Sequence, residues 1–246
     1  MTDARHKDRS SGLMLAAGSA LAVAALLLFG AGNIQAATLS GSGIDATVTA
    51  TLTPSSLPKR GSAPVGLSVS ETISNGTFKS LTLDLDPQLA ISGAGLPTCQ
   101  PQDVTGVVPA AARRKCGTAL VGSGGLTQRF QYPEQPPIDV HASLLFFNGA
   151  GGQLVSYVYM PGPEGPTASA KGSSTRGAAL TFAMPFFGGT TTAFRFQIGK
   201  TWNRRGQKVG YLSGQCASGT LRNQVTLNAS GGTASAMLTQ PCQGRA

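Results

Sequence analysis

The chain has 246 residues, 12% of them charged, and a formal net charge of +9. So low a charged fraction, against the usual quarter, argues against a disordered chain or a coiled coil. The basic excess allows weak attraction to anionic polymers, such as envelope polysaccharide, but does not define a patch.

Residues 1–36 read as an export segment. Arg5, Lys7 and Arg9 precede an uncharged apolar stretch, Leu13–Gly32, and then Ile34-Gln35-Ala36 with a small residue at a cleavage position. As a helix that stretch spans about 30 Å, enough to cross a bilayer. Two outcomes follow: cleavage after Ala36, or retention as an N-terminal membrane anchor with the rest outside. The Leu21–Phe29 core lies a short distance before Ala36, which favours cleavage. Membrane contact is expected only through residues 13–32, and only if they are retained. Residues 37–246 are expected to form one domain.

Past the leader, Thr47–Ser62 reads as an extended approach to the first core strand. Val65, Leu67 and Val69 alternate with small or polar residues and predict that strand. Ser74-Asn75-Gly76-Thr77 is an Asn-Gly hairpin turn. Leu81, Leu83 and Leu85 against Thr82, Asp84 and Asp86 predict the return, ended by Pro87. One face is then buried and the other wet, as in an antiparallel sheet. Pro101–Cys116 is the helical interval, with Pro109 in a first turn, Arg113-Arg114-Lys115 in the last and Gly117 beyond. Further strands are predicted at 118–121, 126–132, 138–147, 154–160, 178–184, 191–202, 208–215, 220–228 and 233–238. Turns fall at Asn148–Gly152, Asn203–Gly206 and Ser230–Gly232. The pattern predicts an all-β fold with one short helix, an antiparallel β-sandwich or jelly-roll-like barrel. Its last three strands read as a meander.

The four cysteines are Cys99, Cys116, Cys216 and Cys242. An even count in an exported chain predicts two disulfides. Proximity in sequence favours Cys99–Cys116 and Cys216–Cys242. The meander, however, would put Cys216 and Cys242 on either side of a middle strand, about 10 Å apart. A disulfide needs Cα atoms within roughly 7 Å, so that bridge and the meander conflict. No pair has C-x2-C spacing and His141 is the sole histidine after the leader, so no metal or cofactor is predicted.

Several short motifs recur together: Ala63-Pro-Val-Gly-Leu67, Gly95-Leu-Pro-Thr-Cys99, Ala112-x3-Cys116-Gly-x-Ala-Leu-Val-Gly122, Phe146-Phe-Asn-Gly149, Tyr211-Leu-Ser-x2-Cys216 and Gln240-Pro-Cys242. With them the chain resembles a group of secreted β-rich proteins of soil actinobacteria that have no assigned activity. The resemblance covers most of residues 37–246. It implies a bacterial source, export and the bridges, and it transfers no catalytic residue.

Candidate sites are few. Asp84 and Asp86 are predicted on one strand face, about 6.5–7 Å apart, a separation that would suit paired glycosidase acids or calcium. Asp139 and His141 share a face, but no G-x-S-x-G elbow supplies a nucleophile. Trp202, Arg204 and Arg205 sit at a hairpin tip suited to a sugar or an anionic polymer. Phe146-Phe147 and Phe186-Phe187 each put two aromatics in a row, so one of each pair must face outward. The expectation is an exported, non-enzymatic cell-envelope or extracellular protein, structural or binding. It would bind envelope polysaccharide or another envelope protein, and no nucleic acid. The alternative is a secreted hydrolase of a glycan or ester, using Asp84, Asp86 and Asp139. An outer-membrane barrel lacks its aromatic girdle, with aromatics at 6%.

Overall fold

A computed structural model describes residues 35–41, 43–162, 166–175, 178–183 and 189–245. The leader up to residue 34, Phe186 and Phe187 lie outside them. No helix among the described residues is long and apolar enough to cross a membrane.

The strands are β1 (Gln35–Gly41), β2 (Ile44–Thr53), β3 (Ser56–Pro58), β4 (Ala63–Asn75), β5 (Phe78–Asp84) and β6 (Leu89–Ile91). Helices α1 (Pro101–Val104) and α2 (Pro109–Cys116) follow. Then come β7 (Leu120–Phe130), β8 (Ile138–Gly149), β9 (Gln153–Met160), β10 (Thr167–Ser174), β11 (Ala179–Ala183) and β12 (Thr190–Ile198). The last are β13 (Thr201–Arg204), β14 (Gln207–Gly210), β15 (Leu212–Gly214), β16 (Thr220–Ala229), β17 (Gly232–Pro241) and β18 (Gln243–Arg245).

The fold is an all-β antiparallel sandwich. The larger sheet runs β1-β2-β4-β12-β7-β8-β9-β10, with β15 and β6 joined to the start of β4. The smaller runs β11-β5-β16-β17. Period-two alternation builds the layer between them. In β2, Ile44, Ala46, Val48, Ala50 and Leu52 are buried, while Asp45, Thr47, Thr49, Thr51 and Thr53 are not. Phe146, Phe182 and Phe196 meet at the centre, with ring centroids 4.3–5.2 Å apart. β1 runs alongside β17, and β10 beside β11, so the two layers approach one another along both edges. That shields edges that would otherwise template aggregation.

A second, smaller core lies on the outer face of the larger sheet. Leu145 and Phe147 of β8 and Val155 and Tyr157 of β9 point away from the sandwich. Val104, Ala112 and Ala119, from the α1–α2 segment and the turn after it, cover them. β8 from Leu144 onward and β9 from Leu154 onward are therefore largely buried on both faces and read as near-continuous apolar runs. Phe146 faces inward and Phe147 outward, but the helical flap leaves both buried. The interval predicted as one helix is two, because Gly106 takes φ +75° between them.

Both predicted disulfides form, Cys99–Cys116 with Cα atoms 5.6 Å apart and Cys216–Cys242 at 6.0 Å. The first pins the flap. The second agrees with the disulfide limit because the predicted meander is absent. Residues 208–215 split into β14 and β15, and β15 pairs with β4 and β6, leaving only β16 and β17 as neighbours. The Thr47–Ser62 reading is also corrected. Its first part is the end of β2, paired with β4 from Asp45 to Thr53. The alternation from Ile44 to Leu52 carries that strand in the sequence itself.

Candidate functional site

The outer face of the larger sheet, beside the flap, is a lattice of small hydroxyls. One register row crosses five strands as Thr49, Ser70, Arg195, Gly125 and Ser143. The next is Thr51, Ser68, Gln197, Ser123 and Leu145. On the other side lie Thr47, Thr72, Ala193, Thr127 and His141. Arg195 and Gln197 are exposed because Phe194, Phe196 and Ile198 take the inward positions of β12.

β12 passes very close to β7. A Cβ at Gly124, on the inward side of β7, would run into the Arg195 carbonyl and Phe196, and one at Gly122 into the Gln197 carbonyl. Only glycine permits that approach. The outer surface above β12 is hollow. Three adjoining hollows of about 390, 600 and 370 Å³ follow the strand. The first and second share Ser68, Ser123 and Gln197, and the second and third share Ser70, Gly125 and Arg195. Ala193 to Gly199 spans six residue steps of extended chain, so the trench is roughly 20 Å long.

Its charge is one-sided. Pro109 and Arg113 of α2 form a wall of the central hollow. Among the described residues the one ion pair is Arg129–Asp139, so neither Arg113 nor Arg195 has a carboxylate partner. Glu71 belongs to the same stretch of β4 but turns inward, where it is 1% exposed and neither oxygen finds a hydrogen-bond partner. Burial pushes its carboxyl up to about 8.

The residues singled out from sequence are scattered. Asp84 is exposed on the outer face of the smaller sheet. Asp86 does not share that face: it is buried, and its carboxylate accepts hydrogen bonds from the backbone N–H groups of Gln88 (2.8 Å) and Arg222 (2.7 Å). The strand ends at Asp84, which frees Asp86 to turn in and bind backbone. Asp139 lies on the opposite outer face, paired with Arg129 at 2.8 and 2.9 Å. Hydrogen bonding to that guanidinium holds the Asp139 carboxyl below its ordinary value. His141 Nδ1 meets Thr127 Oγ1 at 3.1 Å. The three aspartates thus do not converge. Cys99, Asp103 and Cys116 do, but the two sulfurs are bonded to each other, and Asp103 Oδ2 accepts the Gln100 N–H at 2.9 Å.

Trp202, Arg204 and Arg205 fall on the β13–β14 hairpin, as expected. Its turn is Arg205-Gly206, both with positive φ, the backbone of a two-residue hairpin. Trp202 is half-buried against the core and its indole N–H has no partner. Phe186 and Phe187 lie outside the described residues. Arg195, Gln197, Ser68 and Ser70 are not among the residues singled out from sequence. They carried a signal, the same period-two polar face in strands that prove to be neighbours.

Compared with known protein families, curated proteins and solved structures, the chain matches none.

Proposed function

We propose that this protein is an exported, non-enzymatic binding module of the cell envelope or extracellular space, with the trench over β12 as its ligand surface. One observation carries the reading: a long open hollow lined by hydroxyls, an amide and two unpaired guanidinium groups. Such a surface holds a polar ligand by many weak contacts. Two bridged cysteine pairs are compatible with an oxidising compartment. The basic, apolar N-terminal segment supports export, and kinship with secreted actinobacterial β proteins belongs to the same proposal. The hydrolase alternative needed Asp84, Asp86 and Asp139 in one cleft, and their dispersal over both layers takes away its support.

Two measurements test the reading. Mass spectrometry of protein recovered outside the cytoplasm of a bacterial host should give an N-terminus at Ala37. Reduction should add the hydrogens of two bridges. A glycan panel should show binding without turnover. Retention in the cytoplasm, or hydrolysis of a bound glycan, would refute it.

A further inference from the structure

The trench has a chemistry more specific than "polar". Its floor offers Ser68, Ser70, Ser123 and Ser143, with Thr49 and Thr51 on one bank. Hydroxyls both donate and accept, as the hydroxyls of a sugar do. Gln197 adds an amide beside them. The large side chains of the floor, Arg195 and Gln197, stand two residues apart on the central strand and so share a face about 7 Å apart. Arg113 enters from the flap, on the other side of the same hollow.

Among the described residues no acidic side chain points into the trench. Glu71 is the nearest in register and its carboxylate is inside the sandwich. The trench therefore presents uncompensated positive charge in a hydroxyl-lined groove, which complements an anion carried on a polyol chain. Guanidinium groups hold carboxylate or phosphate in paired hydrogen bonds. Nucleic acid is a poorer fit. Phe194 and Phe196, the aromatics lining the hollows, are buried in the core, so the described residues offer no aromatic platform for base stacking. A protein strand would add at a sheet edge, whereas β12 is hydrogen-bonded on both sides.

We infer that the trench over β12 binds an extended acidic glycan, whose carboxylate or phosphate groups are held by Arg113 and Arg195 while its hydroxyls lie along the serine and threonine rows. This rests on the reading of the trench as the ligand surface. It leaves the Arg204–Arg205 hairpin out of the site.

The test uses the full chain and four probes of matched length, with binding followed by calorimetry at about 50 mM and 300 mM salt. The probes are a uronic-acid oligosaccharide, a sugar-phosphate oligomer, the carboxyl-reduced neutral counterpart of the first, and single-stranded DNA. One or both acidic glycans should bind, and which one does identifies the acid group. The neutral counterpart should bind roughly tenfold or more weakly, as should the DNA. Arg195→Gln and Arg113→Gln should each weaken acidic-glycan binding by roughly tenfold, and Arg195→Lys should recover part of the loss. Ser70→Trp, at an exposed position, should block the trench while circular dichroism stays unchanged. Arg204→Gln with Arg205→Gln should have no effect.

Equal binding of the neutral counterpart, lost in Ser70→Trp, would overturn the acidic class and leave the binding-module reading standing. Tighter binding of DNA than of either acidic glycan, or binding that follows Arg204 and Arg205, would overturn the inference. No binding of any glycan would remove the ligand-surface reading as well.

Discussion

At the scale of single residues, Glu71 and Gln240 show opposite outcomes of burying a polar group. Glu71 is enclosed without a partner, and its carboxyl is raised from 4.5 to about 8. The folded state therefore keeps a proton that the unfolded chain loses above pH 4.5. Stability falls as pH rises between those two values and levels off above pH 8, by a total on the order of 5 kcal/mol. Glu71→Gln should match the parent near pH 4 and exceed it increasingly up to about pH 8 in urea unfolding. Parallel pH profiles would contradict this. Gln240 is just as hidden, at 2% exposure, but fully paired. Its Nε2 donates to the Leu52 carbonyl and its Oε1 accepts the Leu52 N–H, both at 3.1 Å. Through these two bonds the Gln240 amide pairs with the Leu52 backbone as a neighbouring strand would. Gln240→Ala should cost about 2–4 kcal/mol, read as a lower urea midpoint, because it strands two buried backbone groups.

At the scale of elements, the flap is a separable unit. α2 is only eight residues, too short to hold alone. It is fastened by the Cys99–Cys116 bridge and by Tyr157, whose hydroxyl donates to the Val107 carbonyl at 2.6 Å. Burial pushes the Tyr157 phenol up to about 12. Replacing both cysteines by serine should remove about 3 kcal/mol of stability. The Tyr157 phenol should then titrate nearer the ordinary value of about 10, as ultraviolet titration would record. An unchanged phenol would mean that the flap stays down without its bridge. Because Arg113 rides on the flap, the same variant should weaken any ligand held in the trench. β7 and β12 form the other device at this scale: Gly122 and Gly124 let the two strands approach more closely than a side chain there would allow.

At the scale of the molecule, strands distant in the chain lie side by side. β12 inserts between β4 and β7, and β16 beside β5, so few core contacts are local. Such a topology folds slowly. With both bridges intact, refolding after denaturant dilution should take roughly a second or longer, as stopped-flow fluorescence of Trp202 would show. Complete refolding within a millisecond would contradict that expectation.

The legible parts of this protein are those that one strand or one turn determines alone. Alternation in β4 and β5, the Asn75-Gly76 turn, the proline start and basic end of α2, and the even cysteine count all act over a few residues. They led to a β-sandwich with a bridged helical flap. β2 was equally legible from Ile44 to Leu52, although it was read as an approach segment. Strand order was not legible, because alternation says which face is buried and not which strand lies alongside. Hence the meander that β16 and β17 only half form, and the pairing of Asp84 with Asp86 on a face they do not share. The trench belongs to the same class. Serine, threonine and arginine on a wet face are unremarkable in each strand alone. Only the placing of β12 between β4 and β7 gathers them into one groove.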